Sequence, residues 1–123
     1  MRKPFVVANW KMHKSVDEAL DFIRSLQGRL PDVDLVECGV AANFLALYPM
    51  LQEVKGQPLE IISQNAYAEY EGAYTGEVSP KALADAGINY ALLGHIERRK
   101  LFNETDDLVN RKVIATLQAG MTP

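Results

Sequence analysis

Two stretches of this chain place chemically able side chains directly after short apolar runs. Asn9-Trp10-Lys11 follows Phe5-Val6-Val7-Ala8, and His95-Ile96-Glu97 follows Tyr90-Ala91-Leu92-Leu93-Gly94. Ligands of parallel βα proteins gather at the carboxyl ends of strands, so both stretches stand where chemistry would be done. Lys11 can supply positive charge to an anionic substrate or a developing oxyanion. It can equally be a solvated loop cation, and spacing alone favours that plainer reading. Gly94 permits a tight exit into His95. A histidine at a helix N-terminus is biased towards neutral and can donate a hydrogen bond to a carbonyl. A structural histidine that satisfies backbone groups fits the spacing as well. Glu97 can pair with Lys11, or with Arg98 or Arg99 at the surface, where such a pair is worth little.

Other reactive types carry less. Cys38 lies in a strand pattern and reads as a small buried hydrophobe. His13 decorates a loop. Two histidines and one cysteine have no zinc spacing, so no metal is expected. No glycine-rich phosphate or dinucleotide motif is present, and no cofactor is expected. Tyr67, Tyr70 and Tyr74 surround a glycine-bearing loop and suit packing or a subunit interface better than a binding platform.

These residues need strands and helices to hold them. Phe5–Ala8 is too short for a helix and reads as a buried parallel strand. Ser15 and Glu18 form a capping box, and Ala19, Phe22, Ile23, Leu26 and Leu30 continue at helical spacing until Pro31. Leu35–Val40 is a second strand. Asn43 caps a helix carrying Phe44, Leu47, Leu51 and Val54, closed by Gly56. Leu59–Gln64 is a third strand, followed by a long loop over 69–76. Ser79-Pro80 opens a third helix that Gly87 ends. Tyr90–Leu93 is a fourth strand, Glu97 can open a short helix, and Thr105 caps a last helix carrying Leu108, Val109, Lys112, Val113 and Leu117, stopped by Gly120. Strands alternating with helices imply a parallel α/β sheet with right-handed crossovers. The first and fourth strands are expected to be open edges that invite pairing with another chain.

The 123 residues support one domain, 1–123, without a linker. Both charge signs are spread along the chain and the net charge is −3, which gives no footprint for nucleic acid. No apolar run approaches the length of a membrane span, and no signal peptide is evident. A single cysteine suits a reducing compartment, so a cytoplasmic location is expected.

Three blocks resemble the triosephosphate isomerase family: Asn9-Trp10-Lys11-Met12, then Gln64-Asn65 with Gly72-Ala73-Tyr74-Thr75-Gly76-Glu77, then Gly94-His95 with Glu97-Arg98-Arg99. Asn103-Glu104-Thr105 and Asn110-Arg111-Lys112-Val113 are similar to it as well. That family folds as an eight-stranded barrel of about 250 residues. The resemblance therefore implies four βα units, half of a TIM barrel: a parallel four-stranded sheet with flanking helices, completed by self-association into a homodimer. It implies interconversion of dihydroxyacetone phosphate and glyceraldehyde 3-phosphate through an enediolate, without a cofactor. Asn9 and Lys11 would bind the triose phosphate, His95 would be the neutral electrophile, and Glu97 the acid beside Lys11. The neutral-histidine role is a standard example for this enzyme. Thr75, with Gly72, Tyr74 and Gly76, would form the loop tip that enters a partner subunit.

The catalytic glutamate base, the lid and the phosphate loops of the family belong to later strands, so this chain alone is expected to be inactive. Complementation by a second half is the alternative. Ile96 stands where the family usually has serine. Ile62 replaces the usual small residue before Ser63-Gln64, and Val40–Phe44 lacks a family proline. Such apolar replacements are expected of an engineered half-barrel; natural or selected variation in an excised fragment is the competing account.

Overall fold

Short apolar runs and side-chain caps at helix starts set the architecture of this chain. The structure is a computed structural model that describes residues 1–123. Its strands are hydrogen-bonded in chain order, β1-β2-β3-β4, with helices as the connections. Two compact units divide it, Met1–Ile62 and Ser63–Pro123, with the division inside β3.

In the first unit, β1 (Phe5–Asn9) pairs in parallel with β2 (Glu37–Ala42), from Phe5 opposite Glu37 to Asn9 opposite Ala41. The expected capping box starts α1 (Val16–Ser25): Ser15 Oγ accepts the Glu18 N–H, and Glu18 Oε1 accepts the Ser15 N–H. The helix stops at Ser25, short of Pro31. Ser25 Oγ bonds back to the Phe22 carbonyl at 2.7 Å, and Gly28 turns the chain with φ 74°, leaving Leu30 outside the helix. β2 begins at Glu37 rather than at Leu35. The Asp32 carbonyl takes the Leu35 and Val36 N–H groups, and its side chain takes that of Asp34. This local turn withdraws Leu35 from the ladder. Asn43 caps α2 (Phe44–Glu53), and β3 (Leu59–Ser63) follows. Ile23, Val40, Ala46, Met50 and Ile61 are buried in this unit. β1 contributes no buried residue, and Val6 is 60% exposed.

In the second unit, Ser79 caps α3 (Pro80–Ala86), with Pro80 in its first turn and Gly87 as a left-handed C-cap. β4 is only Tyr90–Ala91, shorter than Tyr90–Leu93, although the Leu92 N–H still donates to the Ser63 carbonyl at 2.8 Å. A six-residue helix, α4 (Ile96–Leu101), precedes α5 (Asp106–Gln118), which Thr105 caps. The far side of β4 is not bare as expected. Thr122 bridges Tyr90 in parallel, donating to the Asn89 carbonyl and accepting from Ala91. No helix is long and apolar enough to cross a membrane.

Gly39 governs packing on one face of the first unit. A Cβ there would lie 2.7 Å from Ile62 Cδ1, 3.2 Å from the Glu60 carbonyl oxygen and 3.2 Å from Phe5 Cε2. Ile62, where a small residue was the family expectation, thus fills the space above a glycine of the neighbouring strand. Gly39→Ala should destabilise the chain by about 1–3 kcal/mol through overpacking, and Ile62→Ala by about 2–5 kcal/mol through a cavity. The double variant should cost clearly less than the sum in urea unfolding, because each change relieves the other; strict additivity would show that the two positions do not compete for space.

Candidate functional site

Asn9 ends β1, and its Oδ1 accepts the Lys11 N–H at 3.2 Å. This short clasp accompanies an unusual backbone: Lys11 has φ 54°, in the left-handed region. A residue with a Cβ adopts that region at a cost, and such positions cluster at functional sites. The neighbouring Trp10 N–H donates to the Ala41 carbonyl at 3.0 Å, while its ring meets Phe22 edge-on at 5.1 Å. Asn43 Nδ2 donates to the Lys14 carbonyl at 3.0 Å, while its Oδ1 caps α2. The loop is therefore held at both ends, with exposed Lys11 between them. Asn9, Met12, His13 and Glu18 help line an open cleft of about 640 Å³ here.

His95 lies in the second unit, after Gly94 with φ 73°, and is the N-cap of α4. Its side chain is 8% exposed. Nε2 sits 3.0 Å from the Leu92 carbonyl oxygen. A carbonyl only accepts, so Nε2 carries the proton and donates. In the neutral ring Nδ1 then holds a lone pair, and the single N–H is given to the backbone. Glu97 Oε2 lies 3.9 Å from Nδ1, and its side chain is half-exposed. Asn9 and Lys11 are thus brought together in one unit, and His95 and Glu97 in the other.

The loop bearing Thr75 is preshaped. The Tyr67 N–H donates to the Val78 carbonyl at 2.7 Å and closes its base. The Tyr67 and Tyr74 rings lie 4.8 Å apart. Gly72, at φ 137°, lies so close under the Tyr74 ring that a Cβ would sit 2.8 Å from it. Gly72, Tyr74, Thr75 and Gly76 are all exposed.

The sequence reading missed a buried charge cluster in this unit. Lys112 of α5 donates to Glu104 Oε2 at 2.8 Å and to Asn65 Oδ1 at 3.0 Å. Arg98 Nε donates to the same Glu104 oxygen at 2.7 Å. The Lys112 and Glu104 side chains are each 1% exposed. One signal was available: Lys112 stands four residues from both Leu108 and Thr116, on the inward stripe of α5. Burial pushes the Glu104 carboxyl up, but the hydrogen bonds and charges of Lys112 and Arg98 outweigh it and leave its pKa below the ordinary value.

A family model described as triosephosphate isomerase matches residues 4–123. A triosephosphate isomerase of Streptococcus agalactiae is 48% identical over 122 residues, covering 99% of this chain and 48% of that protein. One from Lactiplantibacillus plantarum is 48% identical over 123 residues, covering 100% of this chain and 49% of its own. The crystal structure of triosephosphate isomerase from Bartonella henselae superposes with a TM-score of 0.89 at 30% identity, over 98% of this chain and 49% of that one. The chain spans about half the length of these relatives.

The depressed Glu104 pKa links stability to pH. A carboxylate lowered on folding stabilises above its unfolded pKa, and that contribution disappears as pH falls through the folded value. The urea midpoint should therefore drop as pH is taken below 4.5, the ordinary glutamate value. Glu104→Gln should flatten that part of the profile while lowering stability at neutral pH by about 3–5 kcal/mol, since it leaves Lys112 buried without a counter-charge. An unchanged acid limb in the variant would remove Glu104 from the linkage.

Proposed function

This chain belongs to the triosephosphate isomerase family, and from that premise we propose that it is a single half-barrel domain over 1–123 that supplies the substrate-polarising half of an isomerase site. Asn9 and Lys11 bind a triose phosphate and stabilise its negative charge. His95 is the electrophile at the carbonyl that becomes an enediolate, and Glu97 is the acid beside Lys11. No cofactor takes part. The parent reaction converts dihydroxyacetone phosphate to glyceraldehyde 3-phosphate in the cytoplasm. Proton transfer from carbon needs a positioned base, worth orders of magnitude in rate. On this reading that base, with the phosphate loops, belongs to the other half, as the resemblance implies. Alone, the chain pairs with a second copy and does not turn over.

The observation that carries this reading is β1: a strand with one hydrogen-bonded neighbour, no buried residue and an exposed Val6. An apolar edge of that kind templates another strand, and closure into a ring removes it. Ile62 filling the space above Gly39 supports an engineered or selected half that packs its own interior. His95 giving its N–H to Leu92 supports the absence of turnover, because a neutral imidazole has one proton to donate. The exposed tip at Thr75, with Gly72, Tyr74 and Gly76, serves as a second contact between copies.

A second reading, an isomerase active when complemented, draws on the Tyr90–Thr122 bridge, since the sheet already continues past β4.

Light scattering through a hundredfold dilution should hold at twice the chain mass. A coupled isomerase assay should show no turnover above a His95→Gln control. A monodisperse monomer overturns the assembly, and turnover by the chain alone overturns its inactivity. Turnover appearing only on mixing with the C-terminal half of a relative establishes the complemented reading.

A further inference from the structure

Helix α4 is too short to be stable by itself. Isolated helices below about 12–15 residues are marginal even in favourable sequences, and α4 has six. Packing does not rescue it, because none of its residues is buried. Ile96 is 54% exposed and Leu101 71%. Its N-cap, His95, provides no side-chain cap bond.

What remains is charge. Arg99 reaches Asp106, but that carboxylate is 93% exposed, and pairs in water hold little. Its contact with the Gly94 carbonyl is 3.4 Å. Arg98 differs on both counts. Its Nε donates at 2.7 Å to an oxygen that is itself fixed, the buried Glu104 Oε2. Lys112 holds that oxygen from α5 and holds Asn65 beyond β3. The Glu104 N–H donates back to the Arg98 carbonyl at 3.1 Å, so both ends of residue 98 are tied to residue 104. Arg98 also lies over the Phe102 ring, 5.3 Å from its centre.

We infer that Arg98 is the positioning residue for His95. Through the Glu104 carboxylate it anchors α4, and α4 in turn fixes its own N-cap, keeping the imidazole Nε2–H on the Leu92 carbonyl. The His95 carbonyl takes the Arg98 and Arg99 N–H groups at 3.1 and 3.2 Å, so a shift of the helix moves His95 with it. The inference rests on the proposed reading of His95: in the chain alone Arg98 holds the ring with its one proton on Leu92, away from a substrate carbonyl, and this placement is measurable without turnover or a partner.

The test compares the full chain with Arg98→Met and Arg98→Lys by NMR. Methionine keeps an apolar stem against Phe102 and leaves the Lys112–Glu104 pair intact, so α5 should not change. In Arg98→Met, the amides of residue 98, Arg99 and Phe102 should exchange about tenfold faster or more, a local opening, while the Val109 amide of α5 and the Ala119 amide that closes it stay as in the parent. The His95 ring nitrogens should move from one fixed Nε2–H tautomer towards an averaged pair of signals. Arg98→Lys, which keeps a donor to Glu104, should fall between parent and Arg98→Met on both readouts. Unchanged His95 nitrogen signals in Arg98→Met overturn the inference, as does equal acceleration of α5 amides, which would mark a general loss of stability. Should Arg98→Met not fold, Arg98→Lys decides alone: His95 signals identical to the parent overturn the inference, and partial averaging with α5 unchanged supports it.

Discussion

An ammonium and a carboxylate meet in the interior of the second unit, at Lys112 and Glu104, 2.8 Å apart and almost wholly out of water. Burying either alone would be strongly unfavourable, so each is tolerated because of the other. Their shared oxygen also receives Arg98, and the same ammonium reaches Asn65. The start of the 64–78 loop, the short helix after His95 and the long helix α5 therefore share one charged junction. Glu104 Oε1 accepts no hydrogen bond, so the cations concentrate on a single oxygen. Loss of either central partner would loosen three segments together, including the one that presents the histidine.

The first unit relies on shape. β2 carries Gly39 so that Ile62 and Phe5 can approach it closely, and α1 and α2 bury Ala19, Ile23, Ala46, Leu47 and Met50. Lys11 occupies a backbone conformation that lysine does not favour, beside the Asn9 clasp and the tie from Asn43 to Lys14. Departures from unstrained backbone persist where surrounding structure over-determines them.

Much of this was legible in the sequence. Ser15 with Glu18, Asn43, Ser79-Pro80 and Thr105 each mark a helix start through a bond spanning three residues, and each forms. Gly87 and Gly120 end helices with positive φ, as their lack of a Cβ allows. Boundaries set by competing local bonds were harder to read: Ser25 and Gly28 end α1 before Pro31, and the Asp32 turn delays β2. Strand ends also depend on a neighbouring ladder, which is why β4 closes after Ala91. The positions of Lys11, His95 and Glu97 after their strands followed from pattern, while Asn9, expected just past β1, closes it instead. The Leu92 acceptor for His95 and the buried Lys112–Glu104 pair did not, because both arise from folding that periodicity does not encode.

The bridge between Tyr90 and Thr122 has a temporal side. Phe5 pairs with Glu37, Leu92 with Ser63 and Thr122 with Tyr90, each across roughly thirty residues, the span of one βαβ unit. Every later strand thus finds its partner already made upstream. A chain emerging from the ribosome at about 5–20 residues per second could lengthen this sheet strand by strand in the order of translation.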